Sequence, residues 1–352
     1  MSTETTAETN PCGLRGIAFL EFAGPDSQAL HELFLAFGFS RTERHQTLDI
    51  HRYEQNEIEF LVNREPNGFS GEFAKAHGPS LPAMGWKVED AKEAHRIAVE
   101  RGAKAYEGES IYGCPAIYGI GDSLIYFVET AAKAGKHWVG THRTAFLSVD
   151  DPDVVEEKGF LLVDHLTNNV EKGTMQHWAD FYKNVFGFTE VRYFDIKGAK
   201  TGLTSYALRS PDGSFCIPIN EGNEEKSQIN EYLREYKGPG VQHIAFLSRD
   251  LLSSLESLSD SRIQTLDIDD EYYANVFDRV PGVREDPARI KKNQVLVDGD
   301  EEGYLLQIFT RNLIGPIFIE MIQRENHLAF GEGNFGALFR SIERDQARRG
   351  VL

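Results

Sequence analysis

Two histidines and one glutamate stand out for where they fall in the chain. His165 sits mid-run in Val-Asp-His165-Leu-Thr, His243 mid-run in Val-Gln-His243-Ile-Ala, and Glu320 within Pro-Ile-Phe-Ile-Glu320-Met-Ile. Alternation along the last stretch puts Phe318, Glu320 and Ile322 on one face and Ile317, Ile319 and Met321 on the other. An ionised carboxylate among apolar side chains costs several kcal/mol unless a cation or a strong donor meets it. Two neutral imidazole nitrogens and one carboxylate oxygen on one face of a metal leave three positions open, the facial arrangement of non-haem Fe(II) oxygenases. Each residue alone also has an ordinary reading, as a satisfied core or surface histidine or a glutamate on an edge strand. The three are far apart in sequence, and no short metal motif such as HExxH occurs.

Such a site needs several strands brought side by side, and the chain carries a pattern for them twice. Residues 16–22 read as a strand; after Gly24-Pro25-Asp26, Leu30, Leu33, Phe34 and Phe37 take helical spacing, ended by Gly38. The same grammar returns with a strand at 161–168, helical spacing of Trp178, Phe181, Tyr182 and Val185, and a stop at Gly187. A second pair of echoes joins a strand at 84–88 to a helix at 91–101, and a strand at 241–247 to a helix at 250–258. Both halves close on similar strands, 124–129 and 316–320. The expectation is an α+β tandem duplication with two strand–helix–strands modules in each half. The boundary falls within 131–159, which holds Gly135-Lys-His137 and Asp150-Asp-Pro-Asp153, giving domains 12–150 and 151–352. Residues 267–303 read as an insertion before the final strands. In the N-terminal half Phe19 and, roughly, Trp86 stand where His165 and His243 stand, with Glu129 opposite Glu320, so the C-terminal half is expected to carry the chemistry.

Composition narrows the class. The 352 residues suit two domains, and 41% hydrophobic and 26% charged content is that of an ordinary soluble protein. A net charge of -18, from 37 basic against 55 acidic residues, argues against nucleic-acid or anionic-membrane partners. Cys12, Cys114 and Cys216 are too scattered for a disulfide framework or a CxxC site. The first ten residues are polar and acidic and no apolar run approaches membrane-spanning length, so a cytoplasmic protein with a short disordered lead-in is expected. His31, His45, His51, His77, His95, His137, His142, His177 and His327 lack the paired strand contexts and read as surface or structural.

The runs Val241-Gln-His-Ile-Ala-Phe and Gln307-Ile-Phe, the strand Gly315-Pro-Ile-Phe-Ile-Glu-Met-Ile-Gln-Arg324, and Phe330-Gly-Glu-Gly-Asn-Phe335 followed by Ser341-Ile-Glu-Arg344 closely resemble the 4-hydroxyphenylpyruvate dioxygenases of the vicinal-oxygen-chelate superfamily. The match covers nearly the whole chain and is strongest after Leu161. The resemblance implies two open-barrel domains of βαβββ modules, with Fe(II) on His165, His243 and Glu320. It implies conversion of 4-hydroxyphenylpyruvate and O2 into homogentisate and CO2, a step of tyrosine catabolism, by a homodimer or homotetramer. Ser205, Asn220, Gln228 and Gln307 match polar positions near the substrate, where uncharged amides and hydroxyls suit a phenol and an oxo acid. Pro218 would fix the backbone that presents Asn220. Phe309 shares a strand face with Gln307, and Phe318 with Glu320, so these rings are expected to flank the substrate ring. Alternation turns Gln242 away from the face of His243, which leaves it outside the expected site.

Phe335, Leu338, Phe339 and Ile342 fall at helical spacing, predicting a terminal amphipathic helix at about 334–349 after hinge glycines Gly331 and Gly333. By resemblance it gates the iron, with Phe330, Asn334 and Phe335 facing the substrate. Arg340, Arg344, Arg348 and Arg349 would then bring positive charge to the entrance or form a solvated charged face. Three alternatives share the scaffold. They are a 4-hydroxymandelate synthase, which hydroxylates the benzylic carbon; a ring-cleaving extradiol dioxygenase; and a non-enzymatic binding protein. Phe309 and Asn220 match the dioxygenase pattern rather than the synthase pattern.

Overall fold

Aspartates start three of the expected helices. Asp26, Asp90 and Asp250 each accept a backbone N–H of the first turn, and Gly187 closes a fourth helix with φ 81°. The computed structural model describes residues 9–132, 138–198 and 200–352; residues 1–8 of the expected lead-in and the Gly135-Lys-His137 segment lie outside them. The N-terminal half runs β1 (Leu14–Ala23), α1 (Ser27–Ala36), β2 (Ser40–His45), β3 (Ile50–Gln55), β4 (Ile58–Asn63), α2 (Gly68–His77), β5 (Ser80–Val88), α3 (Ala91–Glu100), β6 (Ala116–Tyr118) and β7 (Leu124–Ala132). After β8 (Trp138–Gly140), β9 (Phe146–Asp153) pairs with β2, which carries the N-terminal sheet just past the boundary expected at 150.

The C-terminal half repeats this order as β10 (Phe160–Val170), α4 (Met175–Phe186), β11 (Thr189–Lys197), β12 (Gly202–Arg209), β13 (Cys216–Gly222), α5 (Gln228–Tyr236), β14 (Gly240–Ser248) and α6 (Leu251–Ser257). The expected insertion holds α7 (Tyr272–Arg279), α8 (Pro287–Lys292) and β15 (Leu296–Gly299). Then come β16 (Tyr304–Phe309), β17 (Phe318–Glu325) and α9 (Phe335–Arg348). Strand order is β6-β7-β5-β1-β4-β3-β2-β9 in one sheet and β11-β12-β13-β10-β14-β17-β16-β15 in the other, the same succession read in opposite directions. Among the described residues no helix is long and apolar enough to cross a membrane.

Each sheet buries its outer face under helices in one large core that joins the halves, where Phe37 meets Phe246 and Trp86 meets Phe186. The register identifies the true counterparts of the three candidate ligands. Neighbouring rows of the C-terminal sheet are His165–Ala245–Glu320 and Thr167–His243–Phe318; in the N-terminal sheet they are Phe19–Gly85–Tyr126 and Glu21–Ala83–Leu124. Phe19 is therefore the counterpart of His165, as expected. The other two assignments are corrected: Ala83, not Trp86, matches His243, and Tyr126, not Glu129, matches Glu320. Trp86 points into the core between the halves, and Glu129 lies exposed further along β7. The inner face of the N-terminal sheet is filled with Phe19, Tyr112 and Tyr126, and buried Glu21 accepts hydrogen bonds from Asn63, Ser70 and Tyr112.

Candidate metal centre and aromatic cavity

Three adjacent strands, β10, β14 and β17, bring His165, His243 and Glu320 together on the inner face of the C-terminal sheet. All three are buried. Nε2 of His165 lies 3.0 Å from Glu320 Oε2 and 3.3 Å from His243 Nε2, and His243 Nε2 lies 3.3 Å from the same carboxylate oxygen. Donors about 2.1 Å from one ion stand about 3.0 Å apart at right angles and about 3.4 Å apart at tetrahedral angles, so the spacing suits three ligands of a single ion.

The opposite edges of both imidazoles fix their tautomers. His165 Nδ1 faces Asp164 Oδ2 at 2.7 Å, and His243 Nδ1 faces Gln242 Oε1 at 2.9 Å. A carboxylate and an amide oxygen accept, so both Nδ1 atoms donate and both Nε2 atoms of the neutral rings turn lone pairs toward Glu320. Lone pairs converging on a buried carboxylate call for a cation. Without one, the cluster is a charged hydrogen-bonded group. Burial pushes Glu320 up, but the two imidazoles outweigh it and hold the carboxyl at about 2. Burial lowers His165, yet the Glu320 charge and the bonds to Asp164 and Glu320 carry it to about 9. For His243 burial prevails and its pKa is lowered. Asp164 is held well below the usual carboxylate range, with Arg324 and His165 overcoming the cost of burial.

Both orienting residues escape the alternation rule for one reason. The ladder between β10 and β14 slips between Val163 and His165 on one strand, and at Gln242 opposite Thr167 and Asn168 on the other. Each slip is a β-bulge that places an extra residue directly before a histidine. Gln242 is thereby turned into the cavity, where it also meets Asn220 Nδ2 at 3.5 Å, and its exclusion from the expected site is corrected.

The donors open into a cavity whose aromatic walls and few polar groups suit a small-molecule ligand. Ser205, Asn220, Gln228, Gln307, Phe309, Phe318, Phe330 and Phe335 all line it, as does Pro218. Phe318 lies flat against His243 with ring centroids 4.9 Å apart, Phe309 meets the same imidazole edge-on, and Phe330 meets His165 edge-on at 5.6 Å. Gln307 Oε1 is buried without a hydrogen-bond partner, leaving an acceptor for a ligand or water. Asn169, which the sequence reading passed over, shares a strand row with Asn220 and Ser205, and both its amide atoms are buried and unpaired.

The terminal segment departs from expectation at Asn334. Asn334 does not line the cavity; its Oδ1 accepts from Tyr272 Oη at 2.6 Å and Arg279 Nη2 at 3.2 Å, pinning the start of α9 to the insertion. Gly331 takes φ 79°, a left-handed backbone region that favours glycine, with the Gln307 side-chain amide beside it. The arginines form the solvated charged face, the second of the two expected roles. Arg340 and Arg344 pair with Asp269, Arg348 with Asp267, and Arg349 with Glu231 and Asp345. Phe335, Leu338, Phe339 and Ile342 do face the cavity, as their spacing predicts.

The scaffold and its donors define a metal-dependent dioxygenase on the glyoxalase-type fold. A model for the glyoxalase/bleomycin resistance protein/dioxygenase superfamily matches residues 162–307, and a model for the N-terminal part of hydroxyphenylpyruvate dioxygenase matches residues 8–140. The chain is 60% identical to Protein MelA of Shewanella colwelliana, over 98% of this chain and 99% of that one. It is 44% identical to a 4-hydroxyphenylpyruvate dioxygenase of Legionella pneumophila, over 97% of this chain and 98% of the relative. Among solved structures, a triple mutant of 4-hydroxymandelate synthase from Streptomyces coelicolor matches with a TM-score of 0.80 and 25% identity, covering 95% of this chain and 99% of that one. The chain belongs to the 4-hydroxyphenylpyruvate dioxygenase family.

Proposed function

We propose that this chain converts 4-hydroxyphenylpyruvate and O2 into homogentisate and CO2, with Fe(II) held by His165, His243 and Glu320. The observation that carries this reading is the convergence of three side chains that can ligate a metal at one side of an aromatic-walled cavity. Two neutral ligands and one anionic ligand leave a dication with net charge of about +1, which suits an anionic 2-oxo acid. Bound Fe(II) would supply chelation of the oxo acid and the redox capacity to use O2, so substrate and reductant are one molecule and no external oxo acid is needed.

The chain's own residues bind, aim and shield. Phe309 and Phe318 stand beside His243, where they would flank the substrate ring, and Phe330, Phe335 and the apolar face of α9 would keep water away. Ser205, Asn220, Gln228, Gln242 and Gln307 offer neutral hydrogen-bonding groups to the phenol and the oxo acid. Asn334 serves this reading indirectly, as the anchor of the lid. The N-terminal half, its inner face filled with side chains, would act as scaffold and subunit contact in a cytoplasmic homodimer or homotetramer; light scattering tests the assembly.

The likeness to a 4-hydroxymandelate synthase supports a second reading in which the same substrate is hydroxylated at the benzylic carbon. Metal-free protein reloaded separately with Fe(II), Mn(II) and Zn(II), with chromatography of the products, separates the two. Homogentisate formed with Fe(II) supports the proposal; hydroxymandelate as the main product overturns it.

A further inference from the structure

Arg324 is the most heavily engaged side chain near the candidate centre that the chemistry above does not use. It lies on β17 on the same face as Glu320, and its side chain is 12% exposed. Nε and Nη2 donate to the two oxygens of Asp164 at 2.7 and 2.8 Å, a fork that fixes the carboxylate in plane. Asp164 in turn accepts from His165 Nδ1. The remaining nitrogen, Nη1, donates to the carbonyls of His327 and Ala329 at 3.0 and 2.6 Å, at the foot of the segment that leads into α9. Next in that segment is Phe330, whose ring lies 6.0 Å from the guanidinium carbon and packs edge-on against His165.

The contacts close a circuit from His165 through Asp164, Arg324 and the carbonyls of 327 and 329 to Phe330, and back to His165. Among the described residues neither His243 nor Glu320 shows such a circuit. His243 is oriented by Gln242, which reaches Asn220 and not the terminal segment. We propose that Arg324 is a positioning residue that couples metal binding at His165 to the seating of Phe330 and the start of the lid. An ion that locks the His165 ring fixes Asp164 and, through one rigid guanidinium, the backbone that presents Phe330. A lysine could not replace it, because one ammonium cannot hold both carboxylate oxygens in a fork and also reach two carbonyls. This inference rests on the metal site proposed above.

The test uses the full-length chain, with Fe(II) titrated anaerobically by calorimetry and hydrogen exchange of residues 326–335 followed with and without saturating metal. Wild-type protein is expected to bind the ion and to slow exchange in that segment when it does. Arg324→Met and Arg324→Lys should bind metal about 10–100-fold more weakly and, at saturating metal, show no metal-induced protection of 326–335. Gln242→Met should also bind more weakly yet keep that protection once saturated, which separates coupling from a general loss of ligand geometry. If Arg324→Met disrupts folding, Arg324→Lys and Asp164→Asn carry the same comparison. Arg324 variants that keep metal-induced protection overturn the coupling. Wild-type protein that binds no divalent ion overturns the metal site and the coupling with it.

Discussion

Asp164 holds His165 from the preceding position in the chain, with Oδ2 accepting from Nδ1 at 2.7 Å while both carboxylate oxygens are gripped by Arg324. Replacing Asp164 by Ala leaves the His165 tautomer undefined and Arg324 buried without its counter-charge. Metal affinity should fall about 10–100-fold, and stability by about 3–5 kcal/mol. Calorimetric titration and urea unfolding measure the two. An Asp164→Ala protein with wild-type values for both would show that the pair is incidental.

Glu320→Gln keeps shape and removes the only anionic donor of the three. Iron affinity and turnover should both drop sharply, because a neutral amide cannot offset the dication and its NH2 group turns protons toward the imidazole lone pairs. Full turnover at ordinary iron levels would exclude Glu320 as a ligand.

Helix α9 is latched from two sides. Glu343 Oε1 accepts from the backbone N–H groups of Lys200 and Thr201 at 2.9 and 3.0 Å, and Arg344 bonds Asp269 at 2.8 Å. Glu343→Gln should raise hydrogen exchange along α9 and lower turnover while leaving the melting midpoint within a few degrees of wild type. Truncation before Phe335 should abolish turnover yet retain the sheet signal in circular dichroism. Unchanged turnover after truncation would remove the gating role.

In the N-terminal half Glu59, its side chain 10% exposed, sits between His142 Nε2 at 2.6 Å and Arg52 Nε at 2.9 Å. Burial favours its neutral form, but these partners prevail and hold the carboxyl at about 2, below its ordinary 4.5. A depressed folded-state pKa means stability that is present above about pH 4.5 and lost as pH falls toward 2, on the order of 3 kcal/mol in all. Glu59→Gln should lower stability at neutral pH and flatten the acid limb over that window, as read by denaturant titrations at stepped pH.

The triad and its duplicated scaffold were legible in the sequence because strand alternation and helical spacing survive in β10, β14, β17 and α9. What alternation could not reveal was Gln242 and Asp164. Both sit at bulges, and a bulge is a property of pairing between two strands, invisible in either one alone. The same limit misplaced Trp86 and Glu129, since the counterparts of ligands are set by inter-strand register. The role of the α9 arginines stayed open between entrance charge and a solvated face because partners such as Asp267 and Asp269 lie in an insertion whose path the local pattern does not specify. Asn334 matched its motif, yet its side chain turns to Tyr272 and Arg279 of the insertion rather than to the cavity.

His165, His243 and Glu320 are proposed to hold the iron that decarboxylation and oxygenation of one substrate would require. The most direct measurement is paired O2 uptake and CO2 release with 4-hydroxyphenylpyruvate, for wild-type and Glu320→Gln proteins, each with and without Fe(II). The account predicts equal amounts of O2 consumed and CO2 released by iron-loaded wild type, with homogentisate as product, and neither gas exchange in its metal-free form nor in the variant at limiting iron. CO2 release that does not depend on iron, or that persists undiminished in Glu320→Gln, would contradict it.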